Sequence, residues 1–188
     1  MLNFSREMKI LRYTIIIVIG LVIILWGISF LLSRSYTVGR SIVIEAPVDN
    51  VFTFVSDLRK WKYWSPWLTP DPNMVIHYND RIVGNKSRMS WRSKNIGEGN
   101  VVIEIKERNK RIAYSLFLEG FENKIHGEFL FDSVNGSTQI RWIDKGDLGP
   151  SPLSKYYILV IENTIGSDFE KGLKDLKKVM EKGMIKSR

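Results

Sequence analysis

From Thr14 to Leu32 the chain carries 19 residues without a charge, TIIIVIGLVIILWGISFLL. At about 1.5 Å rise per residue, a helix of that length reaches across the ~30 Å hydrocarbon core of a bilayer. In lipid the backbone must bond to itself, and a helix lets it do so even though Ile and Val are ordinary helix formers. The run is long for a secretory signal, whose apolar region is usually about 7–15 residues, and Phe30 to Ser35 offers no Ala-x-Ala cleavage site. It has no polar face, which argues against a buried core helix. The sequence therefore predicts one uncleaved transmembrane anchor over residues 13–32, with Tyr13 at its edge. Arg6, Lys9 and Arg12 precede the span, and Arg34 and Arg40 follow it. This weak asymmetry favours the N-terminus inside and the domain extracytoplasmic.

The expected organisation is a short basic tail (1–12), the anchor (13–32), a polar linker (33–39), a folded domain (40–182) and a basic tail (183–188). The domain is long enough to bury a core, and the chain's hydrophobic content of 44% supplies the material. The absence of Cys excludes disulfides, thiolate metal sites and a Cys nucleophile. A net charge of +8 favours anionic surfaces without separating lipid from nucleic acid.

Strand alternation begins at Arg40–Glu45. A short helix follows Ala46-Pro47, with Val51, Phe52 and Val55 on its apolar stripe. Trp61, Trp64 and Trp67 recur every third residue, the spacing of a 3₁₀ or irregular turn, before the turn-rich stretch 69–73. Strands are then expected over 74–78, 87–92, 101–106, 111–118, 124–132 and 138–143, with Gly97-Glu98-Gly99 and Asn135-Gly136 as punctuation. Asn-Gly is a strong hairpin signal because both positions tolerate positive φ. Gly146 to Pro152 interrupts the pattern. Ile158, Ile161, Ile165, Phe169, Leu173, Leu176 and Val179 then recur at three- and four-residue steps, marking a long amphipathic helix. A sheet with one apolar face and one such helix must bury those surfaces against each other.

Four stretches, in this order, resemble the START/Bet v 1-like (SRPBCC) superfamily and, within it, the bacterial polyketide cyclase/dehydrase-like group. They are Ile42-Val43-Ile44-Glu45-Ala46-Pro47 with Val51-Phe52 and Val55-Ser56-Asp57; Trp61-x-x-Trp64-Ser65-Pro66-Trp67 with Asp71-Pro72; Met89-x-Trp91 with Gly97-Glu98-Gly99; and Thr138 to Trp142 with Ile165-Gly166-x-Asp168-Phe169-Glu170-Lys171-Gly172-Leu173. The resemblance covers about residues 38–182. It implies an α+β helix-grip fold, a curved antiparallel sheet around the C-terminal helix with an apolar cavity between them. The chain departs from the group's pattern after Gly84, where Asn85-Lys86-Ser87-Arg88 replaces further small residues.

The inward face is the first candidate site. Trp64, Trp67, Met89, Trp91, Ile103, Tyr114, Leu116, Phe129, Trp142, Ile165 and Phe169 either line a cavity for an apolar ligand or fill a core. The tryptophans either lid that cavity or plug the end of the sheet, and the plug is favoured by their large burial. Tyr114 and Asp144 are the residues to test for catalysis. Asp144 continues the Ile140/Trp142 face, and it is read either as a buried carboxylate or, more simply, as a turn residue at a strand end. No cofactor is expected. His77 and His126, the only histidines, lack partners at ligand spacing, so no metal is expected. There is no P-loop and no Gly-x-Ser-x-Gly. Seven basic residues from Lys171 to Arg188 read as a solvated helix face, and the inward aromatics argue against nucleic acid as a partner. The sequence thus predicts a membrane-anchored, non-catalytic binder of a hydrophobic small molecule or lipid. The alternatives are a cyclase/dehydratase-like enzyme and an envelope interaction protein with a closed core.

Overall fold

A computed structural model describes residues 2–68, 71, 73–79, 85–120 and 123–185. The expected turn residues 69, 70 and 72, Gly84, and the end of the basic tail lie outside this set. Helix α1 (Leu2–Ser29) is followed by strand β1 (Ser35–Ile44), helix α2 (Val48–Val55) and a 3₁₀ turn (Leu58–Tyr63). Strands β2 (Val75–Tyr78), β3 (Arg88–Ser93), β4 (Gly97–Glu107), β5 (Arg111–Leu118), β6 (Ile125–Val134) and β7 (Ser137–Asp147) come next. Helices α3 (Pro152–Lys155) and α4 (Ile158–Ile185) complete the order.

The seven strands form one antiparallel sheet in the order β1-β7-β6-β5-β4-β3-β2. Only the first strand is out of sequence. It pairs with the last, Ser35 opposite Asp147 and Ile44 opposite Thr138. Period-two alternation puts Ile112, Tyr114 and Leu116 of β5, Phe129 and Phe131 of β6, and Ile140 and Trp142 of β7 on the buried face. Asn135 and Gly136 both take positive φ, as the β6–β7 hairpin requires. The register shifts between Ile103 and Ile105, a bulge that bends β4.

Helix α4 lays Ile161, Phe169, Leu173, Leu176 and Met180 into the core. The stripe ends on Met180 rather than Val179, because four residues on from Leu176 is the better-aligned position in a 3.6-residue helix. Arg40 of β1 fastens α4 from outside, reaching Glu162 at 2.7 Å and Glu170 at 3.0 Å. These contacts sit in the open, so they register the helix more than they stabilise it.

Four expected boundaries differ from the observed elements. The polar linker 33–39 is mostly strand, since Tyr36 and Val38 alternate inward and β7 is long enough to pair with them. The basic tail is helical from Leu2, a stretch with no Gly or Pro to break it. Gly97-Glu98-Gly99 opens β4 instead of interrupting the sheet, and a Cβ on Gly99 would collide with the Trp91 indole. Helix α1 ends three residues before the expected limit, where Leu31 closes a tighter bond to Ile28. Its segment Arg6–Ser29 is long and apolar enough to cross a membrane, and the most apolar 18-residue window of it is not buried in the rest of the protein.

Candidate functional site

The predicted lining residues gather in one place. Trp64, Met89, Trp91, Ile103, Tyr114, Leu116, Phe129, Trp142 and Phe169 all belong to the buried core, and Trp67 and Ile165 pack against it half-buried. Their contacts are with each other. Trp142 stacks on Phe169 at 4.1 Å between ring centroids, and Trp64 meets the Trp142 and Phe129 rings edge-on at 5.5 and 5.8 Å. The 3₁₀ turn presents Trp61 and Trp64 to this cluster, and the Trp61 indole N–H donates to the Val55 carbonyl at 2.8 Å.

Beside the aromatic cluster lies a buried polar one. Tyr114, Gly127 and Asp144 stand opposite one another on β5, β6 and β7. The central position carries no side chain, so Tyr114 and Asp144 meet across it. The Tyr114 hydroxyl donates to Asp144 Oδ1 at 2.6 Å and accepts from Trp142 Nε1 at 2.6 Å. A Cβ on Gly127 would overlap both the Tyr114 ring and the Asp144 carboxylate. One ladder step away, Gly146 makes the same kind of room for Tyr36. The Tyr36 hydroxyl is buried and finds no hydrogen-bond partner among the described residues.

Asp144 is therefore not a turn residue. β7 runs three residues past it, and the side chain is 2% exposed. Burial pushes its carboxyl up to about 7, against the opposing pull of the Tyr114 and Trp142 hydrogen bonds. Burial, reinforced by the nearby Asp144 charge, raises the Tyr114 and Tyr36 hydroxyls above the usual tyrosine range. Such a carboxyl can exchange a proton near neutrality if a ligand reaches it.

Two cavities open at the surface. One, of about 550 Å³, lies at the end of the sheet where β7 runs into α3, lined by Asp147, Leu148, Pro150, Ser154 and Tyr157, with Gly120 and Asn123 from the β5–β6 turn. Tyr157, which lines this cavity, adds a small electrostatic contribution to the rise of the Tyr36 hydroxyl. The other, of about 560 Å³, is a polar cleft over β2–β5 that includes His77, Arg92, Glu98 and Phe117, and of the predicted lining residues it takes in Trp91. His126 is exposed on β6. Among the described residues no group of three or more His, Asp or Glu could hold a metal ion.

The sequence reading missed Tyr36, Leu148 and Tyr157. Tyr36 and Val38 carry a period-two signal that continues β1 backwards. The other two sit in loops, where no period exists.

A seven-stranded antiparallel sheet packed on a long C-terminal helix defines the α+β helix-grip class, with the Bet v 1-like fold. The chain belongs to the polyketide cyclase / dehydrase and lipid transport family, whose profile matches residues 35–181. Solved structures with this fold include a protein from Thermobifida fusca (17% identity, TM-score 0.59, 78% of this chain and 93% of that one). CalU16 from Micromonospora echinospora (15%, 0.55, 81% and 80%) and Ara h 8.0201 (13%, 0.55, 79% and 99%) share it too. No curated protein sequence matches the chain. The family and fold support binding of a hydrophobic ligand.

Proposed function

We propose that this protein is a membrane-tethered, non-catalytic binder of a hydrophobic small molecule or lipid. The observation that carries this reading is the 550 Å³ cavity beside the polar cluster, at the end of the domain from which α1 departs. A volume of that size falls within the range of about 300–1,000 Å³ typical of ligand sites. Leu148, Pro150 and Tyr157 line it, whereas the interior residues from Trp64 to Phe169 pack on one another and are not part of its lining. Helix α1 is the tether, and the folded domain lies on the extracytoplasmic side. The description of the family, which names lipid transport, points the same way.

Mass spectrometry of the detergent-extracted full chain tests the reading. A lipid or hydrophobic metabolite should copurify with wild type, be depleted by Leu148→Trp, which fills the cavity, and persist with Phe117→Ala in the outer cleft. Equal recovery from wild type and Leu148→Trp overturns the site. Protection of the domain from protease on intact cells overturns its placement.

The Tyr114–Asp144 hydrogen bond favours one second reading, an enzyme using Asp144 as acid or base. A chemically altered ligand on wild type, and an unaltered one on Asp144→Asn, would establish it.

A further inference from the structure

We propose that the α3–α4 junction, residues 153–160, is a docking surface for the lipid bilayer, so that the cavity beneath it opens at the headgroup layer. This rests on the reading of α1 as the tether. Helix α3 packs on the last turns of α1. The Tyr156 hydroxyl donates to the Leu25 carbonyl at 2.5 Å, and the Lys155 ammonium donates to the Ser29 carbonyl at 3.4 Å while lying over the Phe30 ring. Leu25 lies one helical turn before the end of α1 at Ser29. A side chain that reaches it stands at the depth where an amphipathic tyrosine is most stable, between acyl chains and headgroups.

The residues around Tyr156 match that depth. Leu153, Tyr156 and Leu159 follow at steps of three, Val160 lies four residues after Tyr156, and 3₁₀-type bonds from Leu159 to Tyr156 and from Val160 to Tyr157 keep the chain helical between α3 and α4. This spacing places the residues on one face, and Tyr156 of that face touches α1. Leu153 is 83% exposed, Leu159 65% and Val160 48%, and Phe30 and Leu31 beside them are also bare. Large aliphatic side chains held in water on a face joined to an apolar helix are stabilised by transfer into lipid. Lys155 at the rim suits an anionic headgroup. The nearby Glu162 is already bound to Arg40, so it adds little repulsion. Leu148, Pro150, Ser154 and Tyr157 of the cavity lie within or next to this face. A lipid can pass from the bilayer into the domain there without crossing water.

The chain has no Cys, so single-cysteine variants report one position each. The full chain, carrying Leu153→Cys, Leu159→Cys, Lys110→Cys or Ile19→Cys and an environment-sensitive fluorophore, is placed in phosphatidylcholine/phosphatidylglycerol vesicles with spin-labelled lipid. Lys110 sits in the β4–β5 turn, at the far end of the sheet. Labels at 153 and 159 should be quenched several-fold more than at 110 by spin labels near the headgroup, and the label at 19 by spin labels at mid-chain. Quenching at 19, with 153 and 159 as dark to the spin label as 110, overturns the docking surface and leaves the tether standing. Failure at 19 removes the tether, and the docking surface with it. A blue-shifted but unquenched label at 153 means that protein covers the patch, a second copy or another chain, and also overturns the proposal.

Discussion

The buried face of the sheet has two unlike halves. Under α4 and the 3₁₀ turn it is aromatic, with Trp61 and Trp64 edge-on to Phe129, Phe169 stacked on Trp142 and almost every atom apolar. Towards the end joined to α1 it turns polar, with Tyr36, Tyr114 and Asp144 around two glycines. Trp142 belongs to both halves, its ring on Phe169 and its N–H on Tyr114. The aromatic half is held by shape and tolerates no gap. The polar half is held by the bonds that join Tyr114 to Asp144 and Trp142, and leaving one of those groups unpaired is expensive. A ligand site is easier to build at the second half, because groups that hydrogen-bond to each other can also bond to a guest.

The largest test cuts both halves at once. Trp142→Ala should lower unfolding free energy by about 3–5 kcal/mol, read by urea denaturation of the detergent-solubilised chain. A much smaller loss would mean that the halves are not coupled through this ring. Gly127→Ala adds one methyl where Tyr114 and Asp144 meet. It should lose about 1–3 kcal/mol and shift Tyr114 fluorescence, and a neutral result would place the two side chains elsewhere.

Tyr114→Phe leaves the Trp142 N–H and the Asp144 carboxyl without their shared partner, and about 1–3 kcal/mol should be lost in the same assay. The pH dependence is a finer probe. Asp144 has a folded pKa raised from 3.8 to about 7, so the folded chain holds a proton that the unfolded chain has released between those values. Stability contributed by this carboxyl is present below about pH 4, falls as pH rises towards about 7, and is level above. Subtracting the profile of Asp144→Asn from wild type isolates that slope, and a rising difference would show the carboxyl to be charged and paired. The smallest effect is expected at Tyr36→Phe. Its hydroxyl has no partner among the described residues, so removing it should change stability by less than about 0.5 kcal/mol or raise it. A loss comparable to that of Tyr114→Phe would give Tyr36 a bond that the cluster as described lacks.

Much of the fold could be read in advance because it rests on period. The uncharged run at 14–32, the alternation of Ile112, Tyr114 and Leu116, and the stripe from Ile161 to Leu176 are local patterns, and each dictates which face of its own element is apolar. They name most of the buried side chains, with Met180 in place of Val179, but leave open what those side chains do, since a cavity wall and a packed core have the same pattern. Tyr114 and Asp144 were individually suspect, yet Asp144 looked like the end of a strand because Gly146 follows it. That glycine is there to admit Tyr36 from a neighbouring strand.

Local pattern alone yields one long apolar helix, strands with a single buried face and an amphipathic helix to cover it. Strand register and packing bring residues 114, 127 and 144 into one row, let the two polar side chains bond across the glycine between them, and return α3 to lie on α1. Those are facts of register and of packing between segments far apart in the chain. Pairing by one residue more or less would leave every local period intact and turn each of these side chains to the other face.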